Sequence, residues 1–199
     1  MAELVLVRHG QTEWSKAGRH TGRTDMPLTP EGEREARAVG ALLAARTAVL
    51  ALTSPLMRAW RTAELAGFPQ AEPVADLLEW DYGEYEGATT AQIRSRRPGW
   101  TLWRDGVPPG PPGFAGEDAA QVGARVDRVL ARVRPVLESD RGDVVVFGHG
   151  HCLRVLAARW LDLAPAQGGL FRLDTATVST LGFERESRVF RSWNLPCGR

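Results

Sequence analysis

Arg8, His9 and Gly10 stand directly after an apolar run over residues 4–7. An arginine binds oxyanions, a histidine near neutral pH acts as a nucleophile or a base, and a glycine lets a ligand approach the backbone closely. These residue types predict an anion site that contains a nucleophile or a base. On this spacing alone, a solvated loop that carries both side chains is the competing interpretation.

Three further stretches place polar residues after a short apolar run. Arg58 follows the run at 49–52, His149 follows the run VVVF, and Glu79 leads into a glycine-rich turn. Apolar, β-branched runs of this length are typical of strands that are buried on both faces of a parallel sheet. Because ligands bind such sheets at the carboxyl ends of the strands, we expect these polar residues to converge on one site.

The apolar runs and the capping residues also divide the chain into elements. Strands are predicted at 4–7, 49–52, 143–147, 177–183 and 188–193, the last two at one edge, with a short extended piece at 73–75. Helices are predicted at 30–46, 90–97 and 153–161, with a long amphipathic helix from residue 117. Ser54 with Pro55 is predicted to cap the helix that carries Arg58, and Gly67 to end it.

The alternation of strands and helices predicts an α/β fold with a central, mostly parallel sheet between helices. At 199 residues with 43% hydrophobic side chains, the chain has the size of one domain with one core. The segment 107–116 is too rich in proline and glycine for regular structure. We therefore predict a single domain over 1–199, with 88–120 inserted in it as a lid or flap.

Charge and cysteine content limit the classes of partner. The 25 basic and 24 acidic residues leave a net charge of +1, so no overall field attracts nucleic acid or a membrane surface. No apolar stretch approaches the roughly 18 residues of a membrane span, and no signal-type segment precedes Glu3. With Cys152 and Cys197 as the two cysteines, these features predict a soluble, reduced, cytoplasmic protein.

Taken together, VRHGQT, TSPLMRAWRTAE, LLEWDYGEYEG and VFGHGH, with TGRTDMPLTPEGE at 21–33, resemble the histidine phosphatase (phosphoglycerate mutase-like) superfamily. The resemblance extends from Leu4 to about Trp160. It implies a three-layer α/β/α sandwich with one antiparallel strand in the sheet. It also implies phosphoryl transfer without a metal or another cofactor, on a small phosphorylated substrate.

The resemblance assigns a role to each of the five strand-end residues. His9 matches the nucleophile that becomes a phosphohistidine, and Arg8 and Arg58 match the arginines that clamp the phosphoryl group. His149 matches a second, protonated histidine, and Glu79 matches the acid that protonates the leaving group and then activates water. The remaining matches are phosphate- or substrate-binding positions: Gln11, Thr12, Ser15, Thr21, Gly22, Tyr82 and Gly150.

Several neighbouring residues compete for these roles. Glu84 and Glu86 are the rival carboxylates of Glu79. His20 and His151 are predicted to have supporting or structural roles. Four tryptophans lie beside the predicted loops: Trp14, Trp80, Trp100 and Trp103. They are interpreted as side chains that cover the core more readily than as rings that stack on a substrate.

Two other chemistries are considered, and the first is rejected. A cysteine phosphatase has an arginine six positions after its nucleophile, but here that position is Ala158, so Cys152 is interpreted as a helix residue. A metal site built from His149, His151, His20 and His9 has no accompanying carboxylate-rich ligand set.

Within the superfamily, the sequence favours hydrolysis over mutase activity. Where mutases carry a lysine and a pair of arginines, this chain has Thr90 and Arg104 followed by Asp105, and Ser15 replaces an asparagine. The predicted function is metal-independent hydrolysis of small phosphomonoesters; the alternatives are a phosphoglycerate mutase, a sugar bisphosphatase or a catalytically silent binder of phosphorylated ligands. The sequence does not distinguish a monomer from a homodimer, nor does it show whether a second anionic group binds Arg94, Arg96 and Arg97.

Overall fold

The computed structural model describes residues 1–197, which fold around one six-stranded sheet. Its strands are β1 (Leu4–Arg8), β2 (Ala48–Thr53), β3 (Glu72–Pro73), β4 (Asp143–Gly148), β5 (Thr177–Glu184) and β6 (Ser187–Pro196). They are arranged in the order β3-β2-β4-β1-β5-β6. The predicted strands are confirmed, and the last two do form one edge.

The sheet is parallel on one side of β1 and antiparallel on the other. β1 pairs in parallel with β4, and β2 pairs in parallel with β4 and β3. β5 is antiparallel to both β1 and β6. In the β1–β4 register Arg8 lies opposite Gly148, so the residues that follow the two strands emerge side by side.

Within the described residues, seven α-helices connect the strands. They are α1 (Glu13–Lys16), α2 (Pro30–Leu43), α3 (Met57–Leu65), α4 (Thr90–Arg96), α5 (Leu102–Asp105), α6 (Ala119–Glu138) and α7 (Gly150–Trp160). The two four-residue helices α1 and α5 were not predicted, because one turn is too short to show an apolar period. α7 begins earlier than the predicted 153, directly after β4.

The capping prediction for α3 is wrong in one respect. The N-cap residue is Leu56, which makes no side-chain cap, and Ser54 lies two residues earlier. Ser54 instead hydrogen-bonds a buried histidine ring, as described below. Gly67 does follow the end of the helix, with the positive φ of 91° that a glycine adopts at this position.

The two faces of the sheet carry two separate layers of core. Alternate residues of β1, Leu4 and Leu6, pack with the apolar faces of α6 and α7, while Val5 and Val7 pack on the side of α2 and α3. Because successive side chains of a strand point to opposite faces, one strand serves both layers. The predicted three-layer α/β/α arrangement is confirmed.

The segment 107–116 has no helix or strand and packs against the turn that carries Glu79. Pro108 O accepts a hydrogen bond from Glu84 N at 3.0 Å, and a Cβ at Gly83 would lie 2.1 Å from the same oxygen. This contact requires a glycine at position 83. The opening and closing of 88–120 as a lid stays a prediction.

Within residues 1–197, no helix is long and apolar enough to cross a membrane.

Candidate active site

A cavity of about 190 Å³ opens above the ends of β1 and β4. Seven of the predicted catalytic and binding residues line it: Arg8, His9, Ser15, Thr21, Glu79, Tyr82 and Gly150. Arg19, His20, His151 and Arg154 line it as well. The predicted convergence of strand ends therefore produces a real cavity, whose walls also include residues that the sequence did not single out.

His9 is buried, with one ring nitrogen committed to the backbone. Its Nδ1 lies 2.7 Å from Gly10 O. Because a carbonyl oxygen only accepts, Nδ1 carries the proton and Nε2 keeps its lone pair. Burial, and then the charges of Arg58 and Arg8, hold the pKa of His9 well below its ordinary value. The imidazole is therefore neutral, which is the state required of a nucleophile.

Arg8 is fixed beside His9, and its guanidinium includes a buried donor without a partner. Its Nη1 donates to Leu173 O at 2.5 Å. Its Nε is buried without an acceptor in the described part of the chain. Gly150 lies against the guanidinium, since a Cβ there would be 3.3 Å from Arg8 Cζ. A buried N–H without a partner costs about 1–3 kcal/mol, so a ligand oxygen within reach of this guanidinium would be stabilised.

His149 is fully buried between an arginine and a serine. Arg58 Nε donates to His149 Nδ1 at 3.1 Å, so the proton of the ring is on Nε2, which donates to Ser54 Oγ at 2.7 Å. Burial, followed by the charge of Arg58, holds the pKa of His149 well below its ordinary value. The charged form expected from the sequence is therefore not the form present here, because the adjacent arginine already occupies Nδ1 as a donor.

Arg58 is also fully buried, and it ties the entrance loop, residues 17–27, to the strand ends. Its Nη1 donates to Thr24 O, and its Nη2 donates to Thr21 O and Gly22 O, each at 3.0 Å. It stands behind His149 and does not line the cavity. One of its five N–H groups stays without an acceptor among the described residues, so its main observed role is to hold the loop and the ring.

The Glu79 carboxylate lies at the first turn of α7. Oε1 accepts from Cys152 N and from Trp80 N, each at 2.8 Å, and Oε2 accepts from His151 N at 3.0 Å. The first N–H groups of a helix have no partners inside it, so they favour an acceptor from elsewhere in the chain. The glutamate thus reaches the cavity from a turn and is fixed there by a helix that follows a different strand.

The turn that carries Glu79, residues 78–86, is held by two residues that the sequence did not single out. Arg125 Nη1 donates to Asp76 O at 2.8 Å and to Leu78 O at 2.6 Å. Arg125 also pairs with Glu117 at 2.9 Å, and Glu117 accepts from Asp81 N at 2.9 Å. One signal was present: Arg125 follows Val122 by three residues and so lies on the apolar face of α6.

An uncharged group of rings forms the wall next to Glu79. The hydroxyl of Tyr82 and Nδ1 of His151 share a hydrogen bond of 2.5 Å, and the His20 ring centroid is 4.7 Å from that of Tyr82. Burial raises the pKa of Tyr82 well above its ordinary value and lowers that of His151 well below it. Burial also lowers the pKa of His20 to about 4. These three side chains contribute shape and hydrogen bonds, without formal charge.

Three of the predicted binding residues lie outside the cavity lining. Gln11 N donates to Glu35, and the Gln11 side chain accepts from Thr29. Thr12 is fully buried as the N-cap of α1, where its hydroxyl accepts from Ser15 N at 3.1 Å. Gly22 N donates to Glu86 at 2.9 Å. Their roles in substrate binding stay predictions.

The rival groups are placed elsewhere. Glu86 is occupied by Gly22 N and Thr24 N, and Glu84 is exposed on the far side of its turn. Burial raises the pKa of the Cys152 thiol to about 11, which keeps it protonated. Over residues 1–197, no group of three or more histidine, cysteine and acidic side chains is arranged to hold a metal ion.

The arginines at 94–97 and two of the four tryptophans also have defined positions. Arg94 Nε donates to Trp100 O at 2.9 Å, and Arg97 Nη1 donates to the hydroxyl of Tyr85 at 3.2 Å. Neither they nor Arg96 line the cavity. Trp80 and Trp100 are buried, as interpreted from the sequence.

Comparison with known proteins agrees with this geometry. Residues 4–196 match the histidine phosphatase superfamily (branch 1). An acid phosphatase of Mycobacterium tuberculosis is 41% identical over 187 residues, which cover 93% of this chain and 88% of that protein. Sedoheptulose 1,7-bisphosphatase of Saccharomyces cerevisiae is 38% identical over 189 residues, which cover 80% and 67% of the two chains.

A solved structure gives the same result. The mycobacterial glucosyl-3-phosphoglycerate phosphatase, in a complex with VO3, superimposes with a TM-score of 0.83 at 30% identity, over 98% of this chain and all of that one. The family resemblance identified in the sequence is confirmed along nearly the whole chain. The chain therefore belongs to branch 1 of the histidine phosphatase superfamily.

Proposed function

We propose that the chain is a metal-independent phosphomonoesterase, which hydrolyses small phosphorylated metabolites through a phosphohistidine on His9. One observation carries the proposal. The Nε2 lone pair of the neutral His9 ring, the unpaired Nε–H of Arg8 and the carboxyl of Glu79 belong to residues that line one cavity. They correspond to the nucleophile, the oxyanion donor and the acid that phosphoryl transfer needs.

In the first step, the lone pair of His9 Nε2 attacks phosphorus and the bond to the leaving oxygen breaks. The proton of the Glu79 carboxyl moves to that oxygen, so an alcohol departs. Arg8 donates to the phosphoryl oxygens, where charge is concentrated. The Nδ1–H bond to Gly10 O, at 2.7 Å, stabilises the imidazole while it carries the phosphoryl group.

In the second step, a water oxygen attacks the same phosphorus and the bond to His9 Nε2 breaks. The Glu79 carboxylate takes a proton from the water, which returns the acid to its starting form. Inorganic phosphate leaves, and His9 is again neutral. Arg58 and His149 support both steps by holding the entrance loop and each other.

The relatives support a phosphatase of small molecules. An acid phosphatase, a sugar bisphosphatase and a glucosyl-3-phosphoglycerate phosphatase match this chain along most of its length. A mutase would instead transfer the phosphoryl group to a second substrate. Neither Thr90 nor Arg104, at the places where mutases carry additional cations, lines the cavity, and Arg104 is paired with Asp105. Hydrolysis is therefore the better-supported outcome.

The test uses p-nitrophenyl phosphate in the presence of a chelator. We expect turnover by the intact protein, none by His9→Ala, and a wild-type rate in Arg96→Ala, whose side chain is exposed and remote from the cavity. A mid-turnover quench is expected to trap an acid-labile, alkali-stable phosphoryl adduct on His9. Retained turnover in His9→Ala, or loss of activity with the chelator, would contradict the proposal.

The predicted cytoplasmic location and the choice between monomer and homodimer are separate questions. Fractionation of the native cell tests the first, and light scattering of the purified chain tests the second.

A further inference from the structure

The loop at 172–176, which leads into β5, contacts the first two residues of the site through its backbone. Leu173 O accepts a hydrogen bond from Arg8 Nη1 at 2.5 Å. Ala176 N donates to Arg8 O and to His9 O, each at 3.1 Å. The direction of the Arg8 guanidinium and the path of the backbone at both residues therefore depend on where this loop lies.

The loop has an unfavourable backbone conformation at the contact with His9. Ala176 has a φ of 51°, in the left-handed region that a residue with a Cβ disfavours, and its side chain is buried. Such a conformation persists only where the surrounding structure enforces it, and it is commonest at functional sites. Local preference does not produce this shape, so other elements must hold the loop in place.

The strand β6 supplies the contacts that hold the loop, mainly through Asn194. Asn194 Oδ1 accepts from Asp174 N at 2.7 Å, and Asn194 Nδ2 donates to Asp174 Oδ2 at 3.0 Å. Trp193 Nε1 donates to Arg172 O at 2.5 Å. At the start of β5, Thr177 Oγ1 donates to Asp174 O at 2.8 Å. One amide therefore binds both the backbone and the side chain of a single loop residue.

A β-bulge directs Asn194 towards the loop. The register of β6 against β5 shifts here, so that two residues of β6, 193 and 194, face Ser179 alone. Asn194 has a φ of 56°, a region that asparagine enters more readily than most residues, and its N–H donates to Ser179 Oγ at 2.9 Å. Bulges beside active sites commonly redirect a side chain, and this one brings the amide to Asp174.

We infer that Asn194 is a positioning residue for the proposed reaction: it holds the loop through Asp174, and the loop fixes the guanidinium of Arg8 where the phosphoryl oxygens bind. The inference rests on the proposed function, because that function places the phosphoryl group beside Arg8. Asn194 itself does not line the cavity. The machinery of the site thus extends to β6, beyond Trp160, where the motifs identified in the sequence end.

The first test removes the amide and keeps the backbone conformation. Glycine adopts a positive φ freely, so Asn194→Gly loses both hydrogen bonds to Asp174 without new strain. We expect kcat/KM for p-nitrophenyl phosphate to fall by about 10- to 100-fold, since a misplacement of about 1 Å costs up to about 10²-fold. Arg185→Gly is the matched control, because Arg185 is exposed in the β5–β6 turn with a φ of 55°. It should keep the wild-type rate.

A reciprocal exchange tests the pair itself. Asn194→Asp keeps an acceptor for Asp174 N but places two carboxylates side by side, so kcat/KM should fall. The double variant that adds Asp174→Asn restores one amide and one carboxylate to the pair, and most of the lost rate should return. If Asn194→Gly does not fold, these two variants decide. Wild-type kcat/KM in the Asn194 variants, or no recovery in the double variant, would overturn the inference.

A double-mutant cycle separates positioning from a purely structural role. Arg8→Ala removes the group through which Asn194 is inferred to act. Adding Asn194→Gly to Arg8→Ala should therefore lower kcat/KM by less than about twofold, although the same substitution has its full effect in the wild type. A full additional loss in the Arg8→Ala background would show that the amide does not act through Arg8.

Oxyanion binding separates this inference from the proposed function. Calorimetry measures the dissociation constant of inorganic phosphate for the intact protein, Asn194→Gly and Arg185→Gly. We expect binding about tenfold weaker in Asn194→Gly alone, the size of one charge-assisted hydrogen bond. If the intact protein hydrolyses no phosphomonoester, the phosphatase proposal fails, and the phosphate affinities still decide the role of Asn194. Equal affinities, or no binding to the intact protein, would overturn that role.

Discussion

The two halves of the site are built in different ways. His9 and His149 follow β1 and β4, which pair in register up to Arg8 and Gly148, so the sheet itself places the two rings 5.2 Å apart. Glu79 belongs to a turn without strand or long helix, and its position depends on hydrogen bonds from α6 and α7. The sheet ladder therefore aligns the strand-end half, while polar contacts and the burial of Leu77, Trp80 and Tyr82 align the turn half.

Substitution of Arg58 tests the strand-end half and should have the largest effect. Arg58→Lys keeps the charge but cannot reach His149 and three loop carbonyls at once, because lysine has no planar fork. We expect kcat/KM to fall by about 10²-fold or more, because a shift of about 1 Å in the groups that Arg58 positions misaligns the reacting atoms. Hydrogen exchange at residues 21–24 should also become faster.

The matched control is Arg61→Lys, on the same helix but paired with Glu33 and Glu64 near the surface. It should behave like the wild type. Normal activity in Arg58→Lys would show that the strand-end half does not depend on this clamp.

Glu79→Gln tests the chemistry of the turn half. The amide cannot protonate a leaving oxygen, so hydrolysis of glycerol 3-phosphate should fall by about 10²-fold or more, while p-nitrophenyl phosphate, with a good leaving group, should lose much less. Steady-state rates on both substrates give the comparison. Glu84→Gln, an exposed residue of the same turn, is the control, and equal losses on the two substrates would argue against proton donation.

Arg125→Met tests how the turn is held. The substitution leaves two backbone carbonyls without their guanidinium donor and leaves Glu117 with Asp81 N in place of its ion pair, so the free energy of unfolding should fall by about 3 kcal/mol, as for a broken buried pair. The loss of kcat should be greater for glycerol 3-phosphate than for p-nitrophenyl phosphate, since the displaced group is Glu79. Urea unfolding and the two rates provide the measurements.

Arg125→Lys should recover part of both properties. Arg128→Met, on the same helix, removes an exposed ion pair with Asp76 and should cost less than about 1 kcal/mol. Equal kcat losses on both substrates in Arg125→Met would mean that α6 contributes stability alone.

The pH dependence of kcat/KM and of stability should show the smallest effect, and it sharpens the comparison of the two halves of the site. Because the pKa of His9 is held well below 6.5, the nucleophile stays neutral as the pH falls through 6.5, and the acid limb of kcat/KM should lie below that pH. The free energy of unfolding, by contrast, should depend on the pH in this range. The unfolded imidazoles take up protons near pH 6.5, whereas folded His149 and His151 do not and folded His20 does so at about 4.

The unfolded state therefore binds more protons between those limits, and the free energy of unfolding should decrease as the pH falls from 6.5 towards 4. Urea midpoints across this range provide the measurement. An acid limb at or above 6.5, or a constant midpoint, would contradict the buried, uncharged state of these rings.

The sequence predicted the strand-end half well because the residues that form it are adjacent in the chain. An apolar run followed by Arg8 and His9 contains both the strand and the residues at its end. Glu79 was predicted through the family resemblance, and nothing local shows which groups hold it. Arg125 gave only its position on the apolar face of α6, since the two carbonyls that it binds are distant in the sequence.

Local signals also have limits near the cavity. Ser54 and Pro55 have the residue types of a helix start, yet the helix begins after Leu56 and the serine hydroxyl is taken by His149. Gln11 lies two residues after His9 but turns towards Glu35 and Thr29. In both cases, the packing of a neighbouring element decides the direction of a side chain, and no spacing rule contains that information.

The fold should tolerate an inserted residue poorly in the first turns of α7. His149 precedes this helix, Gly150 lies against Arg8, Cys152 N binds Glu79 and Arg154 follows one turn later. One inserted residue here would rotate the rest of the helix by about 100° and misalign all of these groups together. An insertion at 111–113, an exposed turn beyond the contact of Pro108 with Glu84, meets no such constraint, so length variation among engineered or natural variants should accumulate there and be absent from 148–154.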